Sequence, residues 1–182
     1  MTTVEFFRLL WDEIDVDSLI AKHPFLSKDE IQAHFDCVFD KCNDNKAQND
    51  LYELYTDGAS KGNPGHSGIG YVIKKDGFLI EEQSKYIGAA TNNIAEYTAL
   101  IEGLKRLDEL GVKNVRVYSD SELMVKQIKG EYSVKNDKLK TLLKKVEAFI
   151  KRFNYFAIEH IPRSKNAEAD KLSKQGSMNH ST

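Results

Sequence analysis

Residues 51–70, LYELYTDGASKGNPGHSGIG, are where the fold declares itself. The first half alternates, with Tyr52, Leu54 and Thr56 on one side and Glu53, Tyr55 and Asp57 on the other. Period-two patterning rich in aromatics predicts a β-strand, and the strand is expected to end at Asp57. Five glycines follow, at 58, 62, 65, 68 and 70, with Pro64 among them. A glycine-dense turn lets backbone approach a ligand closely. Asp57 would then stand at a strand end beside an open loop. A hairpin turn with a capping Asp is the plainer alternative.

C-terminal to this stretch, residues 70–74 and 78–86 read as two further strands around a turn at Gly77. Their short connections imply antiparallel neighbours. Residues 90–110 place Ile94, Tyr97, Leu100, Ile101, Leu104 and Leu107 at helical spacing, with Gly111 as the residue that closes the helix. A short strand over 114–119 comes next. Helices over 121–129 and 135–152, a strand over 154–161 and a last helix over about 166–175 complete the order βββαβααβα. Strands alternating with helices require parallel pairing in part of the sheet, and the opening hairpins make the sheet mixed.

N-terminal to it, residues 1–42 read as a small helical unit. Val4, Phe7, Leu10, Trp11 and Ile14 recur at helical spacing, and a break is expected at His23-Pro24. Ser27 and Glu30 form a capping box for a second helix that carries Ile31, Phe35, Val38 and Phe39. Residues 43–50, NDNKAQND, read as a linker. The assignment is therefore a helical unit at 1–42, a linker at 43–50, a catalytic domain at 51–176 and a disordered tail at 177–182. Residues 1–50 carry 11 acidic and 5 basic side chains, residues 51–182 carry 17 and 21. The larger part could meet a polyanion and the smaller part would repel one. No apolar run reaches ~18 residues, so no membrane span is expected. Two cysteines, Cys37 and Cys42, make no disulfide framework and suit a reducing, cytoplasmic protein.

Four acids fall at element ends: Asp57, Asp120 after VRVYS, Glu96 in the first turns of the long helix, and Asp170 in the first turns of the last. Glu96 lies 4, 7 and 11 residues from Leu100, Gly103 and Leu107, so it points inward. Each acid has a structural alternative: Glu96 in a capping box with Asn93, Asp120 as a helix cap, Asp170 paired with Lys174. Several carboxylates at one spot are costly without cations. Oxygen-only ligands suit Mg²⁺ or Mn²⁺.

TDGASKGNPGHSGIG, TNNIAEYTAL, YSDSELMVKQI and PRSKNAEADKLS, in this order and spacing, resemble ribonuclease H of type 1 across roughly residues 51–176. The resemblance implies a five-stranded mixed sheet flanked by helices. It also implies an enzyme that cuts the RNA strand of RNA–DNA hybrids to 3′-hydroxyl and 5′-phosphate ends, with two metal ions on Asp57, Glu96, Asp120 and Asp170. Asn63 and Thr91 match positions around a DNA-strand phosphate. Asn92, Asn93 and Glu122 match groups in the minor groove, where the 2′-hydroxyl separates RNA from DNA. Gly58, Ser60, Lys61 and Gly62 match the turn beside the RNA strand, and Asn166 matches the Asn one turn before the last acid, where it could also be an N-cap.

The chain departs from part of that family. Residues 129–140 are too short for an extra helix with a basic loop, so affinity is expected to lean on Lys135, Lys138 and Lys140. The acidic N-terminal unit lacks the pattern of a hybrid-binding domain and is expected to contact protein. The loop 162–165 is short, which leaves His160 in a strand and Arg163 as the better-placed phosphate contact. The expected partner is an RNA–DNA hybrid, with double-stranded RNA as a second candidate and no membrane. The alternative function is a non-catalytic nucleic-acid-binding module on the same fold.

Overall fold

The computed structural model describes residues 13–23, 27–32 and 51–179. The chain divides into two units, Met1–Asn49 and Asp50–Thr182. In the first, Val16–Lys22 (α1) is helical and a second helical turn spans 28–32. The expected capping box is formed. Ser27 N–H donates to Glu30 Oε2 at 3.0 Å, and Glu30 N–H donates to Ser27 Oγ at 3.2 Å. Ile14 lies outside any helix, 37% exposed, whereas Val4, Phe7, Leu10, Trp11, Phe35 and the linker 43–50 lie outside the described residues.

In the second unit the strand Leu51–Gly62 (β1) is the centre of a five-stranded mixed sheet. It pairs antiparallel with Gly65–Lys75 (β2) and parallel with Asn114–Ser119 (β4). Phe78–Ala90 (β3) and Tyr155–His160 (β5) are the edges, giving the order β3-β2-β1-β4-β5. Two corrections follow. Asp57 does not end β1, which runs five residues past it. Nor is 58–70 a loop: the register carries on through Asp57↔Gly70 and Gly58↔Ile69 to Gly62↔Gly65, leaving only Asn63 and Pro64 as the turn. Glycine has low strand propensity by itself, and ladder hydrogen bonds to a neighbouring strand override it here.

Four helices flank the sheet: Asn92–Glu109 (α2), Glu122–Ile128 (α3), Asp137–Ile150 (α4) and Ala167–Met178 (α5). Asn136 caps α4 by accepting from Lys138 N–H and Leu139 N–H at 2.9 and 3.2 Å. Gly111, with φ of 74°, ends α2 in the left-handed region. α5 reaches Met178, so Ser177 and Met178 belong to the helix and not to a disordered tail. One face of α2 packs Tyr97, Leu100, Leu104 and Leu107 with Leu54, Val115, Val117 and Val146, all eight fully buried. Each such side chain contributes roughly 1.5–3 kcal/mol on leaving water. Tyr97 keeps its hydroxyl satisfied in that interior by donating to Gln127 Oε1 at 2.9 Å. Among the described residues no helix is long and apolar enough to cross a membrane.

Candidate active site

The backbone brings the acids together from four directions. The parallel ladder aligns Thr56 with Ser119, so Asp57 and Asp120 are the next residues along two adjacent strands. Gly58, one residue on, faces α2. A Cβ there would lie 2.2 Å from Glu96 N, so only glycine lets the helix carrying Glu96 sit this close. On the opposite face Gly70 does the same for α5, since a Cβ would lie 2.4 Å from the Ala169 carbonyl oxygen. That seats Asp170, in the first turn of α5, over Asp57.

A cleft of about 380 Å³ opens between these elements. Its lining includes Asp57, Glu96, Asp120, Gly58, Ser60, Lys61, Asn92, Arg163 and Lys174. Asp57 and Glu96 are buried, at 3% and 6% exposure. Burial first, then the charges of Asp120 and Asp170, push the Asp57 carboxyl up to about 6, against a hydrogen bond from Ser173 and the charge of Arg163. Burial, then the charges of Asp57 and Asp120, drive Glu96 well above the ordinary range, partly offset by a hydrogen bond from Gly58 N–H. Glu96 Oε2 is buried with no hydrogen-bond partner. Asp170 behaves oppositely. Burial works against its charge, but Lys174, at 2.5 Å, and Arg163 outweigh that and hold it below the usual carboxylate range.

These surroundings test the structural alternatives. Asp120 is no helix cap: the N-cap of α3 is Ser121, whose N–H is taken by Ser119 Oγ at 3.1 Å. Glu96 makes no capping box with Asn93, because α2 is capped by Thr91, whose Oγ1 accepts from Ile94 N–H. Asp170 does pair with Lys174. Asn166 sits at the N-cap position of α5 without a side-chain cap bond. Its Nδ2 donates instead to Thr56 O at 2.9 Å and to Asp120 Oδ1 at 2.7 Å, tying α5 to β1 and to the acid after β4.

The other expected site residues divide. Ser60, Lys61, Asn92 and Arg163 line the cleft with Gly58. Ser60 Oγ donates to Ala90 O at 2.9 Å, joining the β1 end to the approach of α2. Gly62 and Asn63 stand at the hairpin end beyond the cleft lining, and Asn93 is exposed on the first turn of α2. Glu122 is exposed and pairs with Lys126 at 2.7 Å. Arg163 lies in a 3₁₀ turn, Arg163–Lys165, with its guanidinium on Asp170 rather than free for a phosphate. His160 is the last residue of β5 and is exposed. Ser173, Ser177 and Met178 were not foreseen as site residues. A serine inside an amphipathic helix carries no signal of what it faces.

Carboxylate oxygens alone, two of them on buried acids and one without any partner, are the donor set of a hard divalent cation. As the side chains stand, Asp170 is taken up by its two cations. Among the described residues no three acidic, histidine or cysteine side chains converge on one point.

A family model described as reverse transcriptase-like matches residues 55–176. Ribonuclease HI of Halobacterium salinarum is 36% identical over 122 residues, which cover 66% of this chain and 61% of that protein. The chain thus spans less than two thirds of this relative's length. The crystal structure of RNase H1 from the same archaeon superimposes with a TM-score of 0.68 at 35% identity, covering 69% of this chain and 96% of that one. LC11-RNase H1, solved in complex with an RNA/DNA hybrid, superimposes with a TM-score of 0.65 at 43% identity, covering 68% and 94%.

Proposed function

Since this chain belongs to the type 1 ribonuclease H group of the reverse transcriptase-like family, we propose that it is a metal-dependent endonuclease that hydrolyses the RNA strand of RNA–DNA hybrids. The observation that carries the reading is the cleft lined by Asp57, Glu96 and Asp120, with Asp170 held beside it by the cleft residues Arg163 and Lys174. A non-catalytic binding module has no need of four acids whose mutual repulsion raises the cost of folding.

Asp57, Glu96, Asp120 and Asp170 would hold two Mg²⁺ ions, with Mn²⁺ able to substitute. When bound, such ions stabilise the attacking and leaving oxygens of an in-line displacement, here giving 3′-hydroxyl and 5′-phosphate ends. The chain's own residues do the rest. Asn92 lies beside Glu96, its Nδ2 3.4 Å from Oε1, where a minor-groove 2′-hydroxyl would be read. Gly58 and Ser60, with Lys61, form a narrow backbone edge against which the RNA strand would lie. Arg163 would trade Asp170 for a phosphate as substrate enters, and Asn166 holds Asp120 in place throughout. Asn63 and Thr91 would meet the DNA strand, and Asn93 and Glu122 would flank the minor groove. The acidic N-terminal unit would make a protein contact in a cytoplasmic setting and take no part in the chemistry.

Labelled RNA–DNA hybrid, RNA duplex and DNA duplex, each incubated with Mg²⁺, Mn²⁺ or chelator, test the reading. Cleavage of the hybrid's RNA strand that stops with chelator is expected. Efficient cutting of all-DNA duplex, or binding of hybrid without cleavage, rejects it. The RNA-duplex arm decides the second candidate substrate.

A further inference from the structure

α5 meets the sheet backbone to backbone. A Cβ at Gly70 would lie 2.5 Å from Ser173 N, one at Gly68 2.0 Å from Ser177 N, and one at Gly176 2.6 Å from Lys85 O. Ser84 Oγ donates to Leu172 O at 2.7 Å from the sheet side. This seat brings Ser173, which has no exposed surface, against β1. Its Oγ hydrogen bonds to Asp57 Oδ2 and lies 2.9 Å from the main-chain carbonyl of Asp170.

A serine hydroxyl within a helix commonly donates to a carbonyl one turn back, a purely local bond. Here a carboxylate competes for the single proton. A charge-assisted hydrogen bond is roughly twice as strong as a neutral one, so the proton belongs to ionised Asp57. We propose that Ser173 is a positioning residue for the hydrolysis: its hydroxyl fixes Asp57 Oδ2, leaves the other carboxylate oxygen as the free ligand, and sets the spacing between Asp57 on β1 and Asp170 on α5. The proposal rests on the ribonuclease H reading for the reaction, but its geometry concerns the cation site alone. Alanine would fill the same buried space without the hydroxyl, so packing does not call for serine here.

The test uses the full chain and compares Ser173→Ala and Ser173→Thr with the parent. Calorimetric Mg²⁺ titration without substrate, steady-state cleavage of hybrid, and thermal unfolding in chelator are measured on each. Ser173→Ala should weaken Mg²⁺ binding about 3–10-fold and lower kcat about tenfold, with KM within about twofold. It should melt lower than the parent in chelator at about pH 8, where Asp57 is ionised, with a smaller difference near pH 4. Ser173→Thr, which keeps the hydroxyl, should recover most of the Mg²⁺ affinity. Parent-like Mg²⁺ affinity and kcat in Ser173→Ala overturns the proposal. So does a loss confined to KM and melting temperature, the signature of a structural role alone. If the parent binds Mg²⁺ but leaves hybrid intact, the ribonuclease reading falls while the calorimetric comparison still decides the role of Ser173.

Discussion

The two walls of the cleft hold their carboxylates in opposite electrostatic states. On the β1–α2 wall, Asp57 and Glu96 are buried, repel each other and are raised, with Glu96 Oε2 unpartnered. On the α5 wall, Asp170 is lowered because Lys174 and Arg163 already neutralise it. One wall waits for a cation and the other brings its own. A ligand cation therefore gains most at Asp57 and Glu96, whereas at Asp170 it must first displace two side chains.

The largest test of this contrast is loss of each acid. Asp57→Asn, Glu96→Gln and Asp120→Asn should each slow hybrid cleavage about 10³-fold or more, equivalent to about 4 kcal/mol of barrier. Asp170→Asn should cost about 10–100-fold, because its oxygens are already shared with two cations. Single-turnover cleavage of labelled hybrid measures all four. Near-normal turnover by Asp120→Asn would end the shared-cation reading.

Stability sharpens the contrast next. Asp57 titrates at about 6 in the fold, against 3.8 as an ordinary carboxyl. The folded chain thus binds more protons than the unfolded chain between those values, and stability falls as pH rises through that window. Keeping Asp57 ionised in the fold costs up to roughly 3 kcal/mol above pH 6. In chelator at pH 8, Asp57→Asn should therefore melt several degrees above the parent, and the difference should vanish near pH 4. Asp170, lowered, has the opposite sign. Its contribution is present above the ordinary carboxylate pKa and lost on acidification, so Asp170→Asn should not stabilise. A stabilised Asp170→Asn would break the comparison.

A smaller effect is expected at the turn before α5. Arg163→Ala should reduce kcat about tenfold and His160→Ala a few-fold at most, since Arg163 touches Asp170 and His160 stands exposed at the end of β5. A larger loss in His160→Ala would make His160 the residue that matters there. Least of all, a chain of residues 47–182 should match the full chain within about twofold at saturating hybrid. Folded but inactive 47–182 would show that the first unit takes part in the chemistry.

Element types and order were legible in the sequence because apolar periodicity is a local property. The stripe from Ile94 to Leu107 predicted α2, and the period-two run 52–57 predicted β1. The four acids could be picked out because each adjoins such an element. The extent of β1 and β2 could not. Gly58, Gly62, Gly65 and Gly68 read as loop residues, yet they are sheet residues: the missing side chain of Gly58 admits α2, those of Gly68 and Gly70 admit α5, and Gly62 and Gly65 form the tight end of the hairpin.

By itself the sequence determined the order βββαβααβα of a mixed sheet and that Glu96, Asp120 and Asp170 would lie near the ends of elements, while Asp57, expected at a strand end, stands in the middle of β1. Only the tertiary structure decided that Asp57 and Glu96 are raised while Asp170 is lowered, that Asn166 braces Asp120 rather than capping α5, and that Ser173 reaches Asp57 across 116 residues of chain. The reason is range. Periodicity and capping act over one helical turn, whereas burial, charge repulsion and a hydrogen bond between β1 and α5 exist only once distant segments share one interior.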